Sequence, residues 1–293
     1  MTEEQLLEEA KAALARSYLE QVILPIYLER DSGDMEGRGT GTLLEVGDKL
    51  CLITASHVFD GCNPTKLSSP WGRKKAQIVT WGEFRLRRAP EGSALPDVAI
   101  AELQSPETIA AFRANYRPIT IEQAAMPTLG PGYGSPHVLA GFPSEMATMT
   151  ETTIDQDPLV YFTKMLAEPP PDEDLKEVWN PTFDLSFALE RRVRVLGPAR
   201  QVVEMPNLQG ASGSIIWEMS SVDGLWTPDK ALKAVGVQRS ALRGKWFRAT
   251  NWLAVVPLLA PIDERAALQL AIGLIGEERA GELFRAAGYE IVA

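Results

Sequence analysis

Three short stretches hold residue types that could do chemistry together. Thr54-Ala55-Ser56-His57-Val58 closes an apolar run with a histidine, and Asp97-Val98-Ala99-Ile100 opens one with an aspartate. Gly210-Ala211-Ser212-Gly213-Ser214 sets a serine between glycines just ahead of a third apolar run. A serine hydroxyl is a poor nucleophile at neutral pH unless a base takes its proton during attack. Histidine suits that task, and a buried carboxylate can fix its tautomer and steady the imidazolium. The glycines let the backbone N–H groups of Gly210 and Ser212 converge where a tetrahedral intermediate would place its oxyanion. The implied chemistry is acyl transfer through a serine ester, with no cofactor. A metal is not expected either: two cysteines and two histidines are too few for a structural zinc site, and Cys51 and Cys62 are too far apart for a Cys-x-x-Cys pair.

Chain order narrows the scaffolds that could carry such a triad. An α/β-hydrolase needs serine, then acid, then histidine, with Gly-x-Ser-x-Gly at the elbow. Here both histidines precede Ser212, and position 214 is serine. An Asp-His-Ser order would need His137 as the base, yet His137 opens an apolar run and carries no motif. His57, Asp97, Ser212 is the order that remains.

Strand ends must bring these residues together, and the pattern supplies short strands. Period-two or continuous apolar runs mark strands at 22–24, 39–46, 50–54, 84–87 and 97–103, with Gly47-Asp48 as a hairpin turn. Gly37, Gly39 and Gly41 lack the Gly-Lys-Ser/Thr of a phosphate loop and read as strand glycines in a curved sheet. A Pro/Gly-rich linker at 127–136 precedes a second set, at 137–143, 182–187, 192–195, 214–217, 234–237 and 252–256. Helices are expected at 2–19, 107–116, 263–275 and 277–287. The first has a capping-box pair in Thr2 and Gln5, and an apolar stripe of Leu6, Leu7, Ala10, Ala13, Leu14 and Tyr18. Short strands in two runs point to two barrels or sandwiches flanked by terminal helices.

At this point the chain resembles the trypsin-like (chymotrypsin-fold) serine peptidases, closest to bacterial stand-alone members, over roughly residues 20–260. Thr54-Ala55-Ser56-His57 is similar to the family's Thr-Ala-Ala-His, Asp97-Val98-Ala99-Ile100 to its Asp-Ile-Ala-Leu, and Leu208 to Gly213 to its nucleophile loop. The resemblance implies a mainly β fold of two six-stranded antiparallel barrels with N- and C-terminal helices. It divides the chain into a helix at 1–19, a first barrel at 20–130 carrying His57 and Asp97, a second at 131–262 carrying Ser212, and helices at 263–293. It implies a serine endopeptidase acting through an acyl-enzyme, with substrate in the cleft between barrels. The alternative is a catalytically silent scaffold of the same fold that binds a peptide or partner protein there.

Departures from the family pattern bear on specificity and control. The aspartate that precedes the nucleophile in zymogen-activated members is replaced by Ala211, and the usual second glycine by Ser214. The residue six before the serine, a specificity position, is Pro206, with no carboxylate for an Arg or Lys side chain. By the same resemblance the substrate groove is expected to use Pro206, Gln209, Arg239, Ser240 and Ala241. The 144–191 segment is long for a strand connection and carries Pro169-Pro170-Pro171 beside acidic residues.

Composition sets the partners. The 293 residues are 45% apolar and 23% charged, with 29 basic against 39 acidic side chains and a net charge of −10. A chain of that charge is not expected to bind nucleic acid. Arg73, Lys74, Lys75, Arg85, Arg87 and Arg88 do mix with Trp71, Trp81 and Phe84, but the 84–87 alternation reads as a solvated hairpin face. No apolar run approaches the ~18 residues of a membrane span, and no signal region opens the sequence, so no membrane association and a cytoplasmic location are expected. Both thiols are expected to be free. The expected partners are a protein or peptide substrate and a regulatory protein that gates activity, with 2–19, 169–174 and the C-terminal helices as available surfaces.

Overall fold

Where an apolar run alternates and ends at a glycine, the chain forms a hairpin. Gly47, at φ 61°, turns Met35–Val46 (β2) into Lys49–Thr54 (β3), which pair from Val46↔Lys49 to Thr42↔Ile53. The structure, a computed structural model, describes residues 3–71, 77–89, 96–128, 136–149, 154–175, 178–194 and 202–286. Thr2, Arg73, Lys74, Lys75 and linker residues 129–135 lie outside the described residues.

The first half is a curled antiparallel sheet. Its other strands are Ile23–Glu29 (β1), Leu67–Pro70 (β4), Ile78–Thr80 (β5), Phe84–Arg88 (β6) and Ala99–Leu103 (β7), in the order β5-β4-β1-β2-β3-β7-β6. A two-residue strand, Ile119–Thr120 (β8), runs parallel to β2. Among the described residues this half therefore has seven antiparallel strands and a short parallel one rather than six. The β4–β5 hairpin supplies the surplus edge, anchored where Ser69 Oγ donates to Pro25 O at 2.7 Å and Trp81 Nε1 donates to Ser69 Oγ at 3.0 Å.

Among the described residues the second half centres on a six-stranded antiparallel sheet. Its central path uses His137–Gly141 (β9), Leu159–Thr163 (β12), Asp184–Ala188 (β13), Ile215–Met219 (β16), Leu232–Leu242 (β17) and Trp246–Asn251 (β18), in the order β12-β9-β16-β17-β18-β13. Two ribbons stand apart from it: Ala147–Met149 (β10) with Ile154–Gln156 (β11), and Arg192–Arg194 (β14) with Val202–Glu204 (β15).

Helices Glu3–Val22 (α1), Pro106–Asn115 (α2), Pro228–Ala231 (α3), Val256–Leu259 (α4), Glu264–Ile275 (α5) and Glu277–Ala286 (α6) complete the fold. One apolar core runs through both halves and the terminal helices, joining Leu19, Ile53, Ile100, Val138, Trp217 and Leu270.

Two elements differ from the sequence pattern. The run at 252–256 is a 3-10 turn, Trp252–Ala254, followed by α4, not a strand. Asn251 Oδ1 accepts from Leu253 N at 3.0 Å, and Pro257 sits in the first turn of α4, where no N–H is needed. An apolar residue at every position, most of them buried, hides the period that separates helix from strand. In α1 the buried face is Ala15, Tyr18, Leu19 and Val22, while Leu6, Leu7 and Leu14 are half exposed. Only the last two turns reach the body of the protein.

Cys51 and Cys62 are free thiols. Burial pushes the Cys51 thiol up to about 12, with Glu102 adding to the shift. Arg87 and Arg88 pair with Glu102 at 3.3 Å and Asp60 at 2.6 Å, so part of the basic stripe is spent on neighbouring carboxylates. Among the described residues no helix is long and apolar enough to cross a membrane.

Candidate active site

Strand register places the first two residues. In the β3–β7 pair Thr54 lies opposite Ala99, so the chain just beyond Thr54 and the chain just before Ala99 emerge side by side. A 3-10 turn at Ser56–Phe59 carries His57, and Asp97 precedes β7. One carboxylate holds the histidine twice. His57 N donates to Asp97 Oδ1 at 2.9 Å, and His57 Nδ1 meets Asp97 Oδ2 at 2.6 Å. An ionised carboxylate only accepts, so Nδ1 carries the proton and Nε2 keeps its lone pair. Burial raises the pKa of Asp97, but the hydrogen bonds and charge of His57, with help from Arg239, outweigh it and hold the group below the usual carboxylate range. The His57 side chain is 42% exposed and that of Asp97 17%, so the acid lies under the base.

Ser212 sits on a tight turn ahead of β16. Ala211 N donates to Leu208 O at 2.9 Å, and Ser214 N donates to Ala211 O at 3.0 Å. Gly210 and Gly213 take φ of 88° and 92°, where a side chain is strained. A Cβ on Gly213 would stand 2.0 Å from Thr54 Oγ1 and 2.2 Å from Thr40 O. The Gln209 carbonyl accepts from Ser144 N at 2.7 Å, which turns the Gly210 N–H to the other side of that trans peptide. Among the described residues neither Gly210 N nor Ser212 N donates to a protein acceptor. Ser214, at the usual glycine position, donates to Ala211 O at 2.5 Å and fits because Gly141 lacks a side chain. A Cβ there would be 1.9 Å from Ser214 Oγ.

Thr40 ties this turn to the first half, and the sequence analysis missed it. Its N–H donates to Ser212 O at 2.8 Å. Its hydroxyl donates to Gly210 O at 3.0 Å and accepts from Phe142 N at 2.9 Å. Thr54 Oγ1 donates to Thr40 O at 2.8 Å. The available signal was Gly39, since a glycine inside a strand often marks a close backbone approach. A Cβ there would stand 2.8 Å from Ser212 O and 2.6 Å from Val58 Cγ2. The nucleophile turn and the histidine turn thus meet against the same glycine.

Beside Ser212 lies a cleft of about 340 Å³. Gln209, Ser240 and Ala241 line it, as do Trp246 and Arg248. Pro206 and Arg239 do not. Successive strand side chains point to opposite faces, and a bulge in β17 falls between Gln238 and Ser240, which both line the cleft. Arg239, between them, has its guanidinium on Asp184 at 2.9 Å and is nearly buried. Arg248 also binds Asp184, and it donates to Val178 O at 2.6 Å. A lone arginine in an otherwise apolar strand was the overlooked signal, because buried charge must be paired. The long 144–191 segment reaches the cleft through Asp174 and Leu175. His137 is buried against Phe187, ring centroids 5.1 Å apart, in the second half's core.

Two curled antiparallel half-barrels, with the His57–Asp97 pair on one and the Ser212 turn on the other, make up a chymotrypsin-like fold. Comparison with solved structures agrees. The crystal structure of the scabies mite inactivated protease paralogue S-I1 is similar at a TM-score of 0.51 and 13% identity, over 84% of this chain and 96% of that one. A structure concerned with the intrinsically disordered Sesbania mosaic virus VPg protein overlaps at a TM-score of 0.44 and 13% identity, over 80% of this chain and 87% of that one, a likeness too loose to argue from. No protein-family model matches the sequence. No curated protein matches it either.

Proposed function

We propose that the protein is a trypsin-like serine endopeptidase. The observation that carries this reading is the double hydrogen bond of one partly buried carboxylate to His57, which a core histidine would not need. Ser212 Oγ attacks the scissile carbonyl while His57 Nε2 takes its proton. His57 then protonates the leaving amine, and a water repeats the sequence to free the acyl group. Asp97 keeps the tautomer and stabilises the imidazolium. The N–H groups of Gly210 and Ser212 receive the oxyanion. The substrate is a protein or peptide, the site of action the cytoplasm, and neither metal nor cofactor takes part.

Ala211 leaves no carboxylate for a freed N-terminus to pair with. Thr40 and Ser144 instead hold the Gly210 turn, so activity needs no N-terminal cleavage, and a regulatory partner would gate access. The competing reading, a silent scaffold, gains weight because a solved structure of this fold is described as an inactivated paralogue. Fluorophosphonate labelling of the full-length chain separates the two, since only an activated serine reacts. Stoichiometric labelling at Ser212 is expected; none on folded protein would reject the peptidase.

A further inference from the structure

The Gly210 N–H ends a longer series of hydrogen bonds. Gln209 O accepts from Ser144 N at 2.7 Å. On the opposite edge of the trans Pro143–Ser144 peptide, Pro143 O accepts from Gln156 Nε2 at 2.8 Å. Gln156 Oε1 in turn accepts from the Tyr27 hydroxyl. The direction is forced. A carbonyl oxygen can only accept, so the Gln156 amide must face Pro143 with its nitrogen, and its oxygen then takes the Tyr27 proton. Burial pushes the Tyr27 hydroxyl up, which keeps that proton in place. Three amide groups thus stand in series between Tyr27 and the Gly210 N–H, each accepting at its oxygen and donating at its nitrogen. The Gly210 turn also packs against the middle of this series. A Cβ on Gly210 would stand 2.3 Å from Ser144 Oγ and 2.8 Å from Ser144 N.

We infer that Gln156, with Tyr27 behind it, is a positioning residue that aims and polarises the Gly210 N–H of the oxyanion hole. The inference rests on the peptidase reading for the task of that N–H. Amides bonded in series strengthen one another, because a carbonyl that accepts a bond leaves its own N–H a better donor. Tyr27 and Gln156 are both buried, so water competes little for the head of the series. Gln156 belongs to β11, in the long 144–191 segment, and Tyr27 to β1 of the first half. That segment therefore does more than connect strands: it carries the link between the first half and the hole.

Gln156→Met keeps the side chain's length and removes the donor to Pro143 O. It should lower kcat about 5- to 30-fold with KM little changed, short of the 10²- to 10³-fold for losing an oxyanion donor outright. Affinity for a peptide boronate, whose tetrahedral adduct fills the hole, should fall by the same factor. A ground-state peptide should bind equally to Ser212→Ala with and without Gln156→Met. Tyr27→Phe should act in the same direction by about 2- to 5-fold, as for one neutral hydrogen bond, and it decides alone if Gln156→Met does not fold. In resting protein labelled with ¹⁵N-glycine, the Gly210 amide proton should move upfield in either variant. A labelled enzyme whose kcat and boronate affinity survive both substitutions overturns the inference, even if its melting temperature drops. If fluorophosphonate does not label the wild type, the peptidase reading fails. In that case a shifted Gly210 amide still upholds the series, and an unshifted one rejects it too.

Discussion

The two halves secure their share of the candidate site by different means. The first positions His57 and Asp97 with its own strands, through the β3–β7 register and two hydrogen bonds inside one sheet. The second does not hold Ser212 alone. The carbonyls of Gly210 and Ser212 both end on Thr40 of the first half, and Gly213 fits only beneath Thr40 and Thr54. The histidine–aspartate pair thus draws on one half of the fold, whereas the Ser212 turn draws on both. The second half's own investment is charge, in the Arg239–Asp184–Arg248 cluster under the cleft.

The largest test concerns the nucleophile. Ser212→Ala should abolish fluorophosphonate labelling and peptide cleavage and leave the melting temperature nearly unchanged, because its hydroxyl is not what anchors the turn. Next comes the first half's pair. Asp97→Asn should lower kcat by about 10⁴-fold through the wrong histidine tautomer. Full activity in that variant would mean another group orients His57.

The asymmetry itself is tested at Thr40. Thr40→Val strips the hydroxyl from Gly210 O and Phe142 N, which should cost about 1–3 kcal/mol of stability in a denaturant melt. It should also lower kcat by about 10- to 100-fold with KM little changed, and Thr40→Ser should restore most of it. Unchanged labelling kinetics in Thr40→Val would weaken the comparison, for then the Thr40 hydroxyl does not hold the Ser212 turn.

The smallest effect is one of pH. Asp97 has a lowered pKa when folded, so its contribution to stability is present above its unfolded pKa of about 3.9 and fades as pH falls through the folded value. The melting-temperature gap between wild type and Asp97→Asn should be steady above pH 5 and narrow below pH 4. A gap that widens on acidification would reverse the sign and place the charge elsewhere.

Local grammar explains what could be read from the sequence. The His57, Asp97 and Ser212 motifs each sit at a strand end, and their strands can be recognised from a few neighbouring residues. Thr40, Arg248 and Asp184 belong to strands too, but what they do depends on partners far along the chain, 170 positions away for Thr40 and Gly210. Arg239 was placed at the groove wall because spacing alone cannot foresee that a bulge re-aims the strand. The run at 252–256 is apolar at every position and mostly buried, which hides its helical period, and in α1 only the far end of the apolar stripe meets the body.

Thr40 also has a mechanical meaning. Its hydroxyl and N–H are fasteners between two plates, and a hydrogen bond weakens steeply once its partners are drawn ångströms apart. Any load that parts the plates slightly, whether heat, mild denaturant or a ligand wedged at the seam, would unclip the Ser212 turn as the shared apolar core begins to open. The chain then behaves as a circuit breaker: on gradual warming, labelling of Ser212 should fail several degrees before the buried tryptophans report unfolding.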